Sequence, residues 1–358
     1  PVLIVPYYSV IGGWVIKYLV GYFRGNAKLL AEDGYFTDFI SNGVSTELCF
    51  VAFCAFTLII IFAGVQNGIE RVSKIMMPIL IVLSVIIAVY SVTRPGALAG
   101  VKYFLVPNVK NFSWMTVVSA MGQMFYSLSI AMGILITFGS YMKKDTAIED
   151  STRNVEIFDT GIAIMAGLMI IPAVFAFSGG DPDTLQAGPS LMFITIPKVF
   201  QNMGFGTVIG IVFFLLVLFA AVTSSIALTE SAVSTFEDEL GWGRKKATVL
   251  VGVIMLALGS LSSLGYGPLA GIKIIGMQFL DLFDFLTNSV MMPIAALLTS
   301  LFVSRVVGID KIEAEIIHGE SAFRRKKVFV VMIKYLCPVF AIIILLSSVA
   351  NALGWIKM

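Results

Sequence analysis

Long apolar runs dominate this chain, at about 1–24, 46–65, 75–95, 115–141, 157–180, 204–238, 248–265, 275–303 and 328–352. A helix needs roughly 20 mostly apolar residues to cross the hydrocarbon of a bilayer, so the pattern predicts about nine transmembrane helices. Charged residues make up only 13% of the 358 residues, against about 25% in an ordinary soluble domain. Too little polar surface is left to face water, and an all-α integral membrane protein is expected. No linker divides the chain, so residues 1–358 read as a single transmembrane domain.

Charge is unevenly shared among the connecting segments. One alternating set carries Lys143-Lys144, Arg244-Lys245-Lys246 and Arg324-Arg325-Lys326-Lys327, while the other set is sparsely basic. The positive-inside rule assigns the first set to the cytoplasm, so the first and last helices run outward. Cys49, Cys54 and Cys337 lie scattered in apolar runs, with neither a disulfide framework nor metal-ligand spacing. The single histidine, His318, falls in a charged loop and is expected to be solvated. The chain begins at Pro1 inside an apolar stretch and reads as a piece of a larger protein. There is no phosphate loop, zinc spacing, nucleophile elbow or basic-aromatic surface. An enzyme, a bound cofactor and a nucleic-acid partner are therefore not expected.

The run 115–141 holds a polar stretch bracketed by glycines, from Gly122-Gln123 through Ser127 and Ser129 to Gly133. Hydrocarbon tolerates irregular backbone only where protein or a water-filled cavity satisfies the freed peptide groups. If the helix unwinds here, the carbonyls of Tyr126, Ser127 and Ser129 become available to a cation or an ammonium group. The amides from Ala131 to Gly133 would then meet an anion. The alternative is a continuous helix whose serines bond back to the preceding turn. Asp159 heads another apolar run, either as a sodium ligand or as a helix-capping acid at the interface. An ionisable group within the membrane costs about 3 kcal/mol unless paired or solvated. Thr223-Ser224, with a released carbonyl at Ala220, would suit a hard cation; bonding between helices is the plainer reading. Asp281, Asp284 and Asn288 share a helix face, and Glu230 sits in an apolar run. The segment 181–203 reads as amphipathic, with Asp183 or Thr184 capping a short helix and Pro197 interrupting an apolar stretch. It serves either as a lid or as a passive connector.

These residues, taken in order, resemble the bacterial branch of the neurotransmitter:sodium symporters. Pro6-Tyr7-Tyr8 with Trp14 is similar to the family's third helix, and Gly122-Gln123 through Gly139-Ser140-Tyr141 to its broken sixth. Ala220 to Ala227 with Phe236-Glu237-Asp238-Glu239 resembles the eighth, Phe193-Ile194-Thr195-Ile196-Pro197 the external lid, and Leu282-Phe283-Asp284 the start of the tenth. The resemblance implies an inverted-repeat fold with alternating access, lacking the family's first two helices, in a bacterial inner membrane. It implies substrate contacts at Ile4, Tyr8, Tyr126, Ser127, Ser129, Met132 and Leu228. Ser127 and Asp159 would hold one sodium ion; Ala220, through its carbonyl, with Thr223 and Ser224 would hold another. Tyr8 and Tyr126 would form an aromatic lid over substrate, and Asp284 the acidic half of a gate.

The cargo implied is an amino acid or related small zwitterion, most simply one with an apolar side chain. The Asp159 carboxylate would replace a recruited anion, so chloride independence is expected, and the resemblance is compatible with a homodimer. Ala131 stands where many bacterial members have glycine, and its extra methyl would stiffen the unwound stretch or trim the pocket. Two other readings stand beside this one: a sodium-independent exchanger on the same fold, and a non-transporting membrane receptor or scaffold.

Overall fold

The computed structural model describes residues 1–181, 185, 188–319, 322–352 and 355, with only the backbone at Asn111. The expected cap at Asp183 or Thr184 lies outside the described residues. The long helices are α1 (Ile4–Phe23), α2 (Gly43–Phe62), α3 (Val65–Val92), α4 (Trp114–Ser127), α5 (Ile134–Ser140), α6 (Ile148–Ser178), α7 (Gly206–Leu240), α8 (Arg244–Leu264), α9 (Phe279–Val307) and α10 (Lys326–Ala352). Among the described residues, 8 helices are long and apolar enough to cross a membrane. The remaining expected span is divided between α4 and α5.

Local chemistry sets several of these boundaries. Asn42 caps α2 by accepting from the Ser45 amide at 3.0 Å, which satisfies one of the donors a helix start leaves open. Ser113 and Thr116 form a reciprocal capping box at the start of α4. Gly241, in the left-handed region at φ 62°, ends α7. Pro197 does not interrupt its apolar stretch. It lies within the helical segment Leu191–Gln201, just after the π-helical turns Leu191–Thr195 give way to α-helix.

The chain falls into two compact units, one of residues 2–108 and 161–280, the other of residues 109–160 and 281–358 with Pro1. In the first, α1 packs against α2, α7 and α8, and α3 against α7. Trp14, Tyr18, Phe36, Phe193 and Phe214 form an aromatic core with ring centroids 5.1–6.5 Å apart in the contacting pairs. The Tyr18 hydroxyl donates to the Phe193 carbonyl at 2.7 Å. This core fastens the apolar helical segment Leu191–Gln201 to its own unit, with Phe193, Ile196, Val199 and Phe200 at most 1% exposed.

In the second unit, α4 and the Met292–Leu301 stretch of α9 both pack on α10. The basic connection between α9 and α10 is not plain loop. It contains helix Ile309–Gly319, on which His318 is exposed. Glu149, at the start of α6, accepts from the backbone amides of Arg324 and Arg325 at 2.9 and 3.1 Å. Arg325 also donates to Glu156, one turn before Asp159, at 2.9 Å, and this hydrogen bond raises the Arg325 pKa further.

The α1–α2 crossing depends on Gly13. A Cβ there would stand 2.7 Å from the Phe50 amide nitrogen and 2.8 Å from the Cys49 carbonyl carbon. Backbone cannot yield as a flexible side chain does, so Gly13→Ala should destabilise by about 1–3 kcal/mol, the usual cost of overpacking. Gly161→Ala, where a Cβ meets nothing within 4 Å, should not. Thermal unfolding in detergent measures the difference.

Candidate functional site

Helix α4 stops at Ser127 and α5 starts at Ile134. Between them Ser129, Ala131 and Gly133 take φ values of 55°, 62° and 80°. A side-chain-bearing residue pays roughly 1–2 kcal/mol for the left-handed region, and alternating it along the chain prevents any helical ladder from passing through. The break therefore occupies residues 128–133, and Gly122 lies within intact α4.

The freed backbone groups differ from those expected. The Tyr126 carbonyl accepts from the Ser129 amide at 3.1 Å, and the Ser129 carbonyl from the Met132 amide at 3.5 Å. Both are tight three-residue turns of the kind that close a helix end. Among the described residues, the Ser127 carbonyl alone of the three expected accepts no backbone hydrogen bond, and those of Leu128, Ile130, Ala131 and Met132 also accept none. Before α5 the amides of Ala131 and Gly133 donate to no backbone carbonyl of the described residues, whereas that of Met132 is used by the Ser129 carbonyl. Met132 is buried at 5% exposure.

Asp159 lies inside α6, eleven residues after its start, rather than at its cap. The Ser127 hydroxyl donates to its Oδ1 at 2.6 Å. A carboxylate, a hydroxyl and several open carbonyls are thus gathered at one break. Hard cations such as sodium favour oxygen ligands of these types. Among the described residues no cluster of three or more His, Cys, Asp or Glu side chains forms a metal centre.

Tyr126 and Asp284 line one cavity of about 400 Å³ with Gly122, Gln123, Phe125 and Asn288. The Asn288 amide donates to Asp284 at 2.5 Å. The two gate residues expected in this unit are therefore neighbours.

The other unit holds the remaining expected residues. Ile4 and Leu228 are buried, at 3% and 4% exposure. The half-buried Tyr8 side chain lies near Ser224. The released Ala220 carbonyl is not found. Helix α7 runs unbroken from Gly206 to Leu240, and the Thr223 hydroxyl donates to the carbonyls of Phe219 and Ala220, both at 3.0 Å. A threonine in a helix commonly bonds back in this way.

One polar constellation was only half legible. Glu230, fully buried, receives both ends of the Arg244 guanidinium at 3.0 and 2.6 Å, and Arg244 Nε donates to the Ile61 carbonyl at 3.0 Å. The sequence marks Glu230 as an acid in an apolar helix but counts Arg244 as an ordinary loop charge. A turn separates them, and no helical spacing connects them. Removing one partner of such a buried pair typically costs about 3–5 kcal/mol.

Many membrane-length helices, together with one that breaks at a hydroxyl–carboxylate pair, point to a transporter-type protein. The sodium:neurotransmitter symporter family model matches residues 36–355. An uncharacterized sodium-dependent transporter, YhdH, of Bacillus subtilis is 34% identical over 97% of this chain and 77% of its own length. An uncharacterized sodium-dependent transporter of Haemophilus influenzae is 31% identical over 96% of this chain and 76% of its own. The crystal structure of MhsT in complex with L-phenylalanine superposes with TM-score 0.84 at 34% identity, covering 97% of this chain and 78% of that one. The chain belongs to the sodium:neurotransmitter symporter family and is a multi-pass membrane protein.

Ala131 gives the break a test of sign. Glycine adopts positive φ without steric cost, so Ala131→Gly should leave stability unchanged or raise it by up to about 1 kcal/mol. In a continuous helix the same change would lower stability by about 1 kcal/mol. Thermal melts of the two proteins in one detergent separate these outcomes.

Proposed function

We propose that this protein is a sodium-coupled symporter that carries an amino acid or related small zwitterion by alternating access. The observation that carries the reading is the Ser127–Asp159 hydrogen bond, at 2.6 Å, beside the helix break. A sodium ion at that point would meet the Asp159 carboxylate, the Ser127 hydroxyl and open carbonyls. The amides before α5 supply donors for a substrate carboxylate, reinforced by the positive end of the helix dipole. Carbonyls of the same stretch suit an ammonium group, which together select a zwitterion.

We assign substrate contact to Ile4, Tyr8, Tyr126, Ser127, Ser129, Met132 and Leu228. Thr223, Ser224 and the Ala220 carbonyl are assigned to a second sodium ion, which would compete with the Thr223 hydroxyl for that carbonyl's lone pairs. Tyr8, Tyr126 and Asp284 are assigned to the gate. The apolar side chains of Ile4, Met132 and Leu228 favour a hydrophobic amino acid. The MhsT complex with L-phenylalanine supports the same choice. Asp159 supplies a fixed negative charge beside the cation, so no chloride is needed to balance it.

Proteoliposomes containing the protein should accumulate labelled L-phenylalanine when sodium is outside and not when potassium replaces it. Replacing chloride by gluconate should leave the rate unchanged; stimulation by chloride at fixed sodium would remove the charge-balance argument. Asp159→Asn should raise the sodium concentration for half-maximal uptake at least tenfold, equivalent to about 1.4 kcal/mol of lost binding. Sodium dependence untouched by both Thr223→Ala and Ser224→Ala would instead fit the sodium-independent exchanger. Saturable binding without flux would fit a receptor.

A further inference from the structure

A second cavity, of about 380 Å³, lies wholly within the unit of residues 2–108 and 161–280. Its wall includes Arg94 and Pro95 just beyond α3, Phe177 near the end of α6, and Val199, Asn202 and Gly204 of the segment leading into α7. None of these residues belongs to the site assigned above. The volume falls within the range of small-molecule pockets, about 300–1,000 Å³.

Arg94 is held in place yet chemically unspent. Its guanidinium carbon lies 4.3 Å from the Tyr90 ring centroid, and Nε donates to the Tyr90 carbonyl at 3.2 Å. Nη2 reaches only the Thr93 hydroxyl, at 3.5 Å, and Nη1 makes no hydrogen bond to the described residues. No carboxylate of the described residues stands within ion-pair distance of Arg94, whereas Lys198 on the same segment is paired with Asp33. The opposite wall is equally fixed. The Tyr90 hydroxyl donates to the Gly204 carbonyl, and Phe205 is held at φ 59°. A Cβ on Gly206 would fall 1.7 Å from the Phe200 carbonyl oxygen, so the turn admits no larger residue. The Gly204 amide donates to no backbone carbonyl of the described residues.

We propose that this cavity binds a small carboxylate with an apolar body. The guanidinium fork matches a carboxylate's two oxygens, while Pro95 and Phe177 offer apolar wall to the rest of the molecule. An occupant would join the ends of α3 and α6 to the segment Leu191–Gln201, so binding would stiffen that segment without touching the cation site.

The test uses benzoate as the probe, by titration calorimetry on the intact protein in phosphatidylcholine nanodiscs. One saturable site is expected, weakened at least tenfold in Arg94→Gln, partly restored in Arg94→Lys, and unchanged in Tyr8→Phe. Benzamide, with the same shape and no charge, should not bind. Equal benzoate affinity in wild type and Arg94→Gln would overturn the proposal, as would loss of binding in Tyr8→Phe, which would place the probe in the transport site. Loss of benzoate binding in phosphatidylglycerol nanodiscs would overturn the ligand class, because a lipid phosphate would then be the natural occupant. Should Arg94→Gln fail to fold, the benzoate–benzamide comparison and Arg94→Lys decide the question.

Discussion

Peptide groups cannot be left unpaired against lipid, and this constraint governs the structure from end to end. Long helices meet it by internal hydrogen bonding over most of the chain. At residues 128–133 the ladder stops, and carbonyls and amides remain without backbone partners. Such a stretch persists only where other protein groups, water or a ligand answer it. Beside that stretch the Ser127 hydroxyl and the Asp159 carboxylate, from the end of α4 and the interior of α6, are hydrogen-bonded to each other. The proposed cation and zwitterion would complete what these two side chains begin.

The membrane spans were legible in the sequence because hydrocarbon thickness imposes one length on every apolar run. The existence of a break was legible too, from polar residues and glycine inside such a run. Its exact extent was not. Of the three residues with positive φ, only Gly133 advertises that geometry, while Ser129 and Ala131 are ordinary L-residues made to adopt it. Gly122, which looked like the opening bracket, is accommodated within helix. The expected release of the Ala220 carbonyl from its helix is not seen, for a related reason. Adjacent hydroxyls in a helix can bond back to the preceding turn, and no sequence pattern separates that from release of the carbonyl.

Long-range partners were the least legible. Ser127 and Asp159 lie 32 residues apart, and no periodicity connects them. Their pairing was reached through family resemblance, and the structure places them in contact. Arg244 had no such guide. Its basic neighbours made it look like one more cytoplasmic charge, although its guanidinium neutralises an acid buried at the side of α7. Glu149, too, accepts from two backbone amides of a distant segment. Carboxylates that satisfy backbone across tertiary distance leave almost no mark in local sequence.

The left-handed residues between α4 and α5 also bear on how the chain enters the bilayer. A nascent segment carrying several bare carbonyls is a poor solute for lipid on its own, since each exposed peptide group costs several kcal/mol in hydrocarbon. Residues 114–140 emerge from the ribosome before α6 does, so Asp159 is absent when they first reach the membrane. Insertion of this piece must therefore be cooperative, with the broken helix waiting at a protein or water interface until later helices arrive to shelter it.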